Sequence, residues 1–432
     1  LAEELGVSRN TVTLAFDQLV AEGYIEGSPR SGTRVAAVPA RAPRAKPSRG
    51  PGPSARGKAI ADARLPALSR GESPAVPFRV GVPALDQFPS RLWSRLASRR
   101  WRRQPLLDYG EPGGYSALRE AIAEYVRLAR GVRCLTEQVI ITSGSQQGVD
   151  LAARVLLDPG DAVWMEDPGY TGARAALQAS GARLVPLPVD ADGLVVEEGE
   201  RVAPRARLAY ASPSHQFPLG VTMSASRRLA LLRWAARAGA WVLEDDYDSE
   251  FRYDARPLAS LQGMDEDGRV IYVGTFSKTL FPAVRLGYLI VPVELVNVFR
   301  AARAVSDRQS PTMEQAVLAD FVAGGHFARH VRRMRRLYAE RQEVLVDAVR
   351  RQLGDRLQVT PSSAGMHLLG WLEPGVDDAA VSARAAALGV EAAPLSRYAL
   401  VAPERGGLLL GWAGYAREAI REAVARLEKA LN

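Results

Sequence analysis

Hydrophobic positions fall into three regimes along the chain. Over residues 1–36, Val12, Ala15, Phe16 and Leu19 recur at helical spacing behind Ser8, a natural N-cap, and Gly6 closes an earlier helix. This stripe predicts a helix with a buried face, leaving Arg9, Asn10, Thr11 and Thr13 outward near its start. Gly27, Pro29 and Gly32 then punctuate a short hairpin that carries Arg30 and Arg34 as a basic wing. Over 37–75 the periodicity stops, and a stretch rich in Pro, Gly and Ala reads as a flexible linker. From 76 onward, short β-branched runs alternate with helical spacing, which predicts an α/β body with a mostly parallel central sheet. Residues from about 76 to 108 and from about 320 onward are expected to form a smaller α+β lobe. In FARHVRRMRRLYAERQEVL (327–345), Phe327, Val331, Met334 and Tyr338 form one stripe, so its arginines read as a solvated or interface face.

Three segments of the body carry candidate chemistry. Lys278 stands between apolar runs in VGTFSKTLFPAVRLGYLI (273–290), and it is one of only four lysines among 56 basic residues. Arginine does not surrender its proton, whereas a partly desolvated lysine amine attacks carbonyls to form a Schiff base. Ser277 and Arg285 flank it as candidate ligands for a phosphate. In WVLEDDYDSEF (241–251) an apolar strand ends in acids, and Asp245 and Tyr247, two apart, share a face. Pyridoxal phosphate needs a carboxylate at its ring nitrogen and a donor near its phenolic oxygen, and this pair supplies both. In VIITSGSQQGVDLAARVLL (139–157) a strand runs through Gly144 into a helix, whose first backbone amides at Ser145 and Gln146 form an anion site.

Phosphate turn, acid-tipped strand and lysine, in that order, make residues 76–432 resemble the fold-type I pyridoxal phosphate proteins of the aminotransferase class. The resemblance implies that Ser145, Gln146, Ser277 and Arg285 hold the phosphate and that Tyr170, in EDPGY, stacks on the ring. It further assigns Asp245 to the ring nitrogen, Tyr247 to the phenolic oxygen and Lys278 to the Schiff base. Tyr109, in LDYGEPGGY, matches a tyrosine that reaches the phosphate of the other subunit, which implies a homodimer. Residues 1–36 resemble the winged helix-turn-helix of the GntR superfamily, with Ser8, Arg9, Asn10, Thr11, Thr13, Arg30 and Arg34 facing double-stranded DNA. The segment opens inside a helix, so the first helix of that domain is expected upstream of Leu1. Head and body together, with SPSHQFPLG (212–220) and EDDYDSEFRY (244–253), resemble the MocR subfamily of bacterial transcription regulators.

One departure from the enzyme pattern stands out. Aminotransferases hold the substrate carboxylate on an arginine in a strand resembling FLRLSFA, and here GLLLGWA (407–413) places Leu409 at that position. Arg397 and Arg405 are the nearby candidates to compensate. Three readings follow: a regulator that senses pyridoxal phosphate or an amine condensed with it, a working aminotransferase with a DNA-binding appendage, or a DNA-binding protein whose body is only a dimerising scaffold. The retained lysine and aspartate disfavour the third and Leu409 disfavours the second.

Composition adds less. The net charge is +8, and residues 37–75 hold eight basic side chains against Asp62 and Glu72, enough for salt-sensitive attraction to DNA phosphates. A single cysteine, Cys134, excludes an intrachain disulfide framework and fits a cytoplasmic, nucleoid-associated protein. No apolar run approaches membrane-spanning length, and His215, His326, His330 and His367 show no metal-ligand spacing with the cysteine. Ordinary polar or interface roles are expected for all four.

Overall fold

The structure is a computed structural model that describes residues 1–28, 32–36, 52–62, 76–102, 104–253 and 259–432. It divides into two compact units, Leu1–Ser54 and Ala55–Asn432. In the first, a short helix Ala2–Leu5 ends at Gly6 in the left-handed conformation, and a second helix spans Arg9–Ala21. Ser8 caps this second helix, its hydroxyl accepting from the Thr11 amide at 3.1 Å. The hairpin follows as β1 (Ile25–Ser28) and β2 (Gly32–Val35), with Glu26 opposite Arg34. Arg30 lies outside the described residues.

The head's apolar stripe is less covered than its spacing predicts. Val12 and Phe16 are half-buried while Ala15 and Leu19 are exposed, and no described residue of 1–36 is buried. Thirty-odd residues have too little volume to enclose a core. Within the stretch read as a linker, Ala55–Asp62 is a helix, and the Arg56 side chain donates to the Ala179 carbonyl at 2.9 Å. Its residues, ARGKAIAD, contain no proline, unlike the sequence around them. The rest of 37–75, apart from 52–54, lies outside the described residues.

The body is built on an eight-stranded sheet of β3 (Val139–Thr142), β4 (Ala162–Asp167), β5 (Arg183–Asp190), β6 (Gly193–Leu194), β7 (Leu208–Ala211), β8 (Trp241–Asp246), β9 (Val270–Thr275) and β10 (Gly287–Ile290). Their spatial order is β3-β10-β9-β8-β7-β4-β5-β6, parallel except for β10 and the edge strand β6. Period-two alternation sends successive residues to opposite faces. On β8, Val242 packs with Trp164, Ala209 and Trp234 on one side, and Leu243 packs with Ile140, Val149 and Ile271 on the other. These near-continuous apolar strands are buried on both faces, as parallel sheets require.

A smaller antiparallel sheet of β11 (Leu357–Val359), β12 (His367–Leu372), β13 (Ala393–Pro394) and β14 (Gly407–Gly411), in order β11-β12-β14-β13, forms the second lobe. The long helix His326–Gln352 buries Met334 and Tyr338 in this lobe's core, together with Phe78, Leu410 and Trp412. Phe78 bridges to Gly411 as an isolated strand pair, so the residues just after 76 join the smaller lobe as expected. The helix Ser90–Trp101 does not. Its Leu96 packs in the same core as Val139, Ile141 and Tyr288 of the large sheet, and its Trp93 stacks edge-on against Phe281 and Phe321. Among the described residues no helix is long and apolar enough to cross a membrane.

Candidate functional site

The acids that end β8 divide between the sheet's two faces. Asp245 follows Leu243 to one face and is 4% exposed; its Oδ2 accepts from the Tyr210 hydroxyl on β7 at 2.5 Å. Its Oδ1 is buried with no hydrogen-bond partner. Burial pushes the Asp245 carboxyl up to about 6, against the Tyr210 bond, which lowers it. Asp246 faces the other way, where its Oδ2 accepts from Arg130 Nε at 2.7 Å and from the Tyr272 hydroxyl. Glu244 shares that second face, accepting from the amides of Leu261 and Gln262 at 2.7 and 2.8 Å. Asp246 also leaves its Oδ1 without a partner, but its carboxylate is paired with Arg130; Asp245 bonds a neutral hydroxyl and keeps its open oxygen on the other face.

Lys278 follows the end of β9 and is half-buried, its Nζ donating to the Gly81 carbonyl at 3.1 Å. Burial lowers its proton affinity, with Asp248 and Asp245 opposing and Arg285 assisting. An amine in that condition is poised as a nucleophile. Gly81 has φ of 73°, and a side chain there would run into the lysine amine itself.

The anion end lies where β3 meets the helix Ser145–Leu156 through Gly144, at φ 90°. The Arg285 guanidinium stands 3.3–3.4 Å from where a Cβ on Gly144 would project, and donates to the Ser143 carbonyl at 2.8 Å. Arg285 is exposed and holds φ of 47°, a conformation that non-glycine residues adopt at some energetic expense. Ser277 is half-buried next to Lys278, its amide donating to Thr275 Oγ1 at 3.2 Å. Gln146 engages its side chain elsewhere. Its side chain donates to the Gly172 carbonyl at 2.8 Å and accepts from the Tyr170 hydroxyl at 3.2 Å, so it braces Tyr170 and has only its backbone amide left for an anion.

Tyr247 reaches a pair of residues that sequence reasoning assigned no special role. Its hydroxyl lies 3.0 Å from His215 Nδ1, and that nitrogen lies 3.1 Å from Asp248 Oδ2. His215 and Asp248 are both buried. The motif SPSHQFPLG, which carries His215, was the available signal, but spacing along the chain does not show that it meets EDDYDSEF in space.

Tyr109 is not brought to the other candidates within one chain. It is 77% exposed, lies 5.0 Å below the Arg308 guanidinium, and lines a cavity of about 1080 Å³ with Arg100, Glu111 and Thr312. Leu409, the residue compared in sequence with the carboxylate clamp, is fully buried on β14, paired with Leu369 and Ala393 and packed with Leu395 and Tyr398. Arg405 does not compensate: it donates to the Leu372 carbonyl and to Gln358 Oε1, beside the Trp371 ring. Arg397 is exposed on the turn Leu395–Tyr398. In the head, Arg9 and Asn10 are exposed at the first turn of their helix, whereas Thr13 folds its hydroxyl back onto the Arg9 carbonyl at 3.1 Å and Thr11 bonds Ser8 at 2.8 Å.

An aminotransferase-type site on a doubly layered α/β body is thus joined to a winged DNA-binding head. Residues 76–427 match the family of aminotransferases of class I and II, and residues 1–35 match the gntR family of bacterial regulatory proteins. The chain belongs to the MocR-type regulators of the GntR superfamily, which combine these two parts. Over 438 residues it is 44% identical to the probable rhizopine catabolism regulatory protein MocR of Rhizobium meliloti, covering all of this chain and 87% of that protein. It is 31% identical over 440 residues to the pyridoxine biosynthesis transcriptional regulator PdxR of Corynebacterium glutamicum, covering all of this chain and 90% of that protein. The solved structure of LysN, the α-aminoadipate aminotransferase of Thermus thermophilus, complexed with N-(5'-phosphopyridoxyl)-L-leucine, superposes with a TM-score of 0.76 at 31% identity over 82% of this chain and 92% of that one.

The residues present fit pyridoxal 5'-phosphate. The open Oδ1 of Asp245 is an unmet acceptor for a ring N–H, Lys278 presents an amine of reduced proton affinity, and the Ser145 helix start with Arg285 provides an anion cradle.

Proposed function

We propose that this chain is a DNA-binding transcription regulator whose body holds pyridoxal 5'-phosphate and reads its state, as the cofactor alone or as the cofactor condensed with an amine. One observation supports the reading: Asp245 and Arg285 lie within electrostatic reach of Lys278, and Asp245 of Tyr247, while Leu409, compared above with the carboxylate clamp, sits in an apolar cluster. When bound, the cofactor supplies an aldehyde for an amine to attack and an electron-withdrawing ring. In this assignment Lys278 delivers the attacking amine, Asp245 holds the proton on the ring nitrogen, Tyr170 covers the ring, and Ser277, Arg285 and the Ser145 and Gln146 amides fix the phosphate.

Tyr109 acts across a homodimer, and its 77% exposure in the single chain leaves it available to a partner subunit. The head binds double-stranded DNA through Arg9 and Asn10 at the helix start and Arg34 on the wing, while Ser8, Thr11 and Thr13 chiefly shape the helix end. The setting is cytoplasmic and nucleoid-associated. A sensor of this kind requires that its ligand favour one DNA-binding state over another. The relatives' names, a rhizopine regulator and a pyridoxine-biosynthesis regulator, both suit an effector that passes through the cofactor site.

A second reading, a working aminotransferase with a DNA-binding appendage, draws on the lowered proton affinity of Lys278. The test compares operator affinity of cofactor-free and cofactor-loaded protein, alongside a transamination assay over a panel of amino donors. A cofactor-dependent change in affinity with negligible turnover is expected. Equal affinities together with many turnovers on one donor overturn the regulator in favour of the enzyme.

A further inference from the structure

We propose that His215 and Asp248 are positioning residues that aim the hydroxyl proton of Tyr247 at the phenolic oxygen of the cofactor. The inference rests on the assignment of Tyr247 made above, and it adds a device that the sequence did not disclose.

His215 Nδ1 is shared: Asp248 Oδ2 lies 3.1 Å from it and the Tyr247 oxygen 3.0 Å. An ionised carboxylate only accepts, so the nitrogen facing it must carry the proton. Tyr247 then receives the other branch of the same N–H with its oxygen lone pair. Its single O–H is left free to donate away from the histidine. The opposite tautomer sets a nitrogen lone pair against the carboxylate. It also places an N–H at Nε2, which is buried with no partner. An unmet lone pair is the cheaper of the two defects, because orphaned buried N–H groups are the rarer kind.

The surroundings hold this arrangement in place. Gly365, at φ 85°, lies so close to the His215 ring that a side chain there would collide with it. His367, whose ring centroid is 5.2 Å away, directs its Nε2 to the Pro218 carbonyl at 3.3 Å, and burial followed by His215 lowers it to about 3. It therefore adds no positive charge that would compete for Asp248. Burial first, then Asp248, Asp245, Glu166 and Asp246, keep the Tyr247 hydroxyl protonated. Lys278 acts as a neighbouring cation on Asp245, with Arg285 near it, and the negative charges around Tyr247 make proton direction, not proton loss, the variable that His215 controls.

Two measurements test this on the full chain. In the first, ¹⁵N NMR of histidine-labelled, cofactor-free protein reads the tautomer directly; the sequence has only four histidines, and His215→Asn assigns the signal. The Nδ1–H tautomer is expected for His215, and an Nε2–H tautomer overturns the proposal. In the second, the pH midpoint of the visible absorption of the loaded protein is followed in variants. Tyr247→Phe raises it by about one pH unit, because the anionic phenolic oxygen loses its donor.

Asp248→Ala also raises the midpoint, since His215 is now free to accept the tyrosine proton, and adding Tyr247→Phe then produces no further rise. Loss of a negative charge alone moves the midpoint the other way, because it disfavours the protonated form. A fall, no change, or additive shifts in the double variant overturn the proposal. Should the protein take up no cofactor, the tautomer still decides this inference separately from the functional reading.

Discussion

Asp245→Asn tests the cofactor site through stability as well as binding. The folded, cofactor-free protein raises the Asp245 carboxyl from 3.8 to about 6, mainly by burial. A shift of about two units corresponds to about 3 kcal/mol of resistance to ionisation in the folded state. The sign follows from proton counts: the folded chain binds more protons than the unfolded one between these values, so stability falls as pH rises through the window. Below 3.8 the penalty is absent, at pH 5 it is about half developed, and above about 6 it is complete. Asparagine remains neutral and still accepts from the Tyr210 hydroxyl. Cofactor-free Asp245→Asn is therefore expected to be more stable than the parent by about 3 kcal/mol at pH 7.5 and by about half that at pH 5.

Urea unfolding followed by tryptophan fluorescence reads the body alone, because all seven tryptophans lie beyond residue 76. Cofactor affinity moves the opposite way, weakening by roughly ten- to a hundredfold as the charged bond to the ring nitrogen is lost. A variant less stable than the parent at pH 7.5, or a gain independent of pH, refutes the reasoning. Transfer of the affinity loss to Asp246→Asn refutes the facing of the strand.

The parent is expected to take a borohydride-fixed cofactor label detectable by mass spectrometry and Lys278→Ala to take none; a label retained in the variant removes Lys278 from its role. Arg9→Ala is expected to weaken operator binding by about 1–3 kcal/mol if the side chain reads a guanine, measured against a scrambled duplex at matched salt. An equal loss on both duplexes identifies a phosphate contact instead. Leu409→Arg is expected to cost several kcal/mol of stability, roughly 3 or more, because it buries a charge in an apolar cluster. Unchanged unfolding with new turnover on α-amino acids contradicts the packing described for that strand.

Features set by neighbours along the chain were legible from sequence. Ser8 as a cap, Gly144 before its helix and the facing of Asp245 by strand alternation all follow from local rules, and each stands where spacing put it. What escaped depends on contacts between distant segments. His215 and Asp248 are 33 residues apart and meet only because β7 and β8 are neighbours in the sheet. Gln146 turns to Tyr170, and Ser90–Trp101 joins the large lobe, because the partners that claim them arrive from elsewhere in the chain. The helix Ala55–Asp62 was hidden by averaging eight helix-compatible residues into a proline-rich surround. Leu409 was read as standing where an aminotransferase carries arginine, and the sealed apolar cluster around it was not visible in GLLLGWA.

The amine of Lys278 is a single hydrogen bond away from the backbone that leads out of the Phe78 pairing, for its partner is the carbonyl of Gly81. In the Schiff-base role proposed for it, Lys278 would surrender protons, and the Gly81 carbonyl would lose this donor. Gly81 sits three residues beyond Phe78, whose isolated bridge to Gly411 joins this segment to the smaller lobe. The Lys278 amine and the Phe78–Gly411 pairing are thus tied through three residues of backbone, and a side chain at Gly81 would disturb both at once.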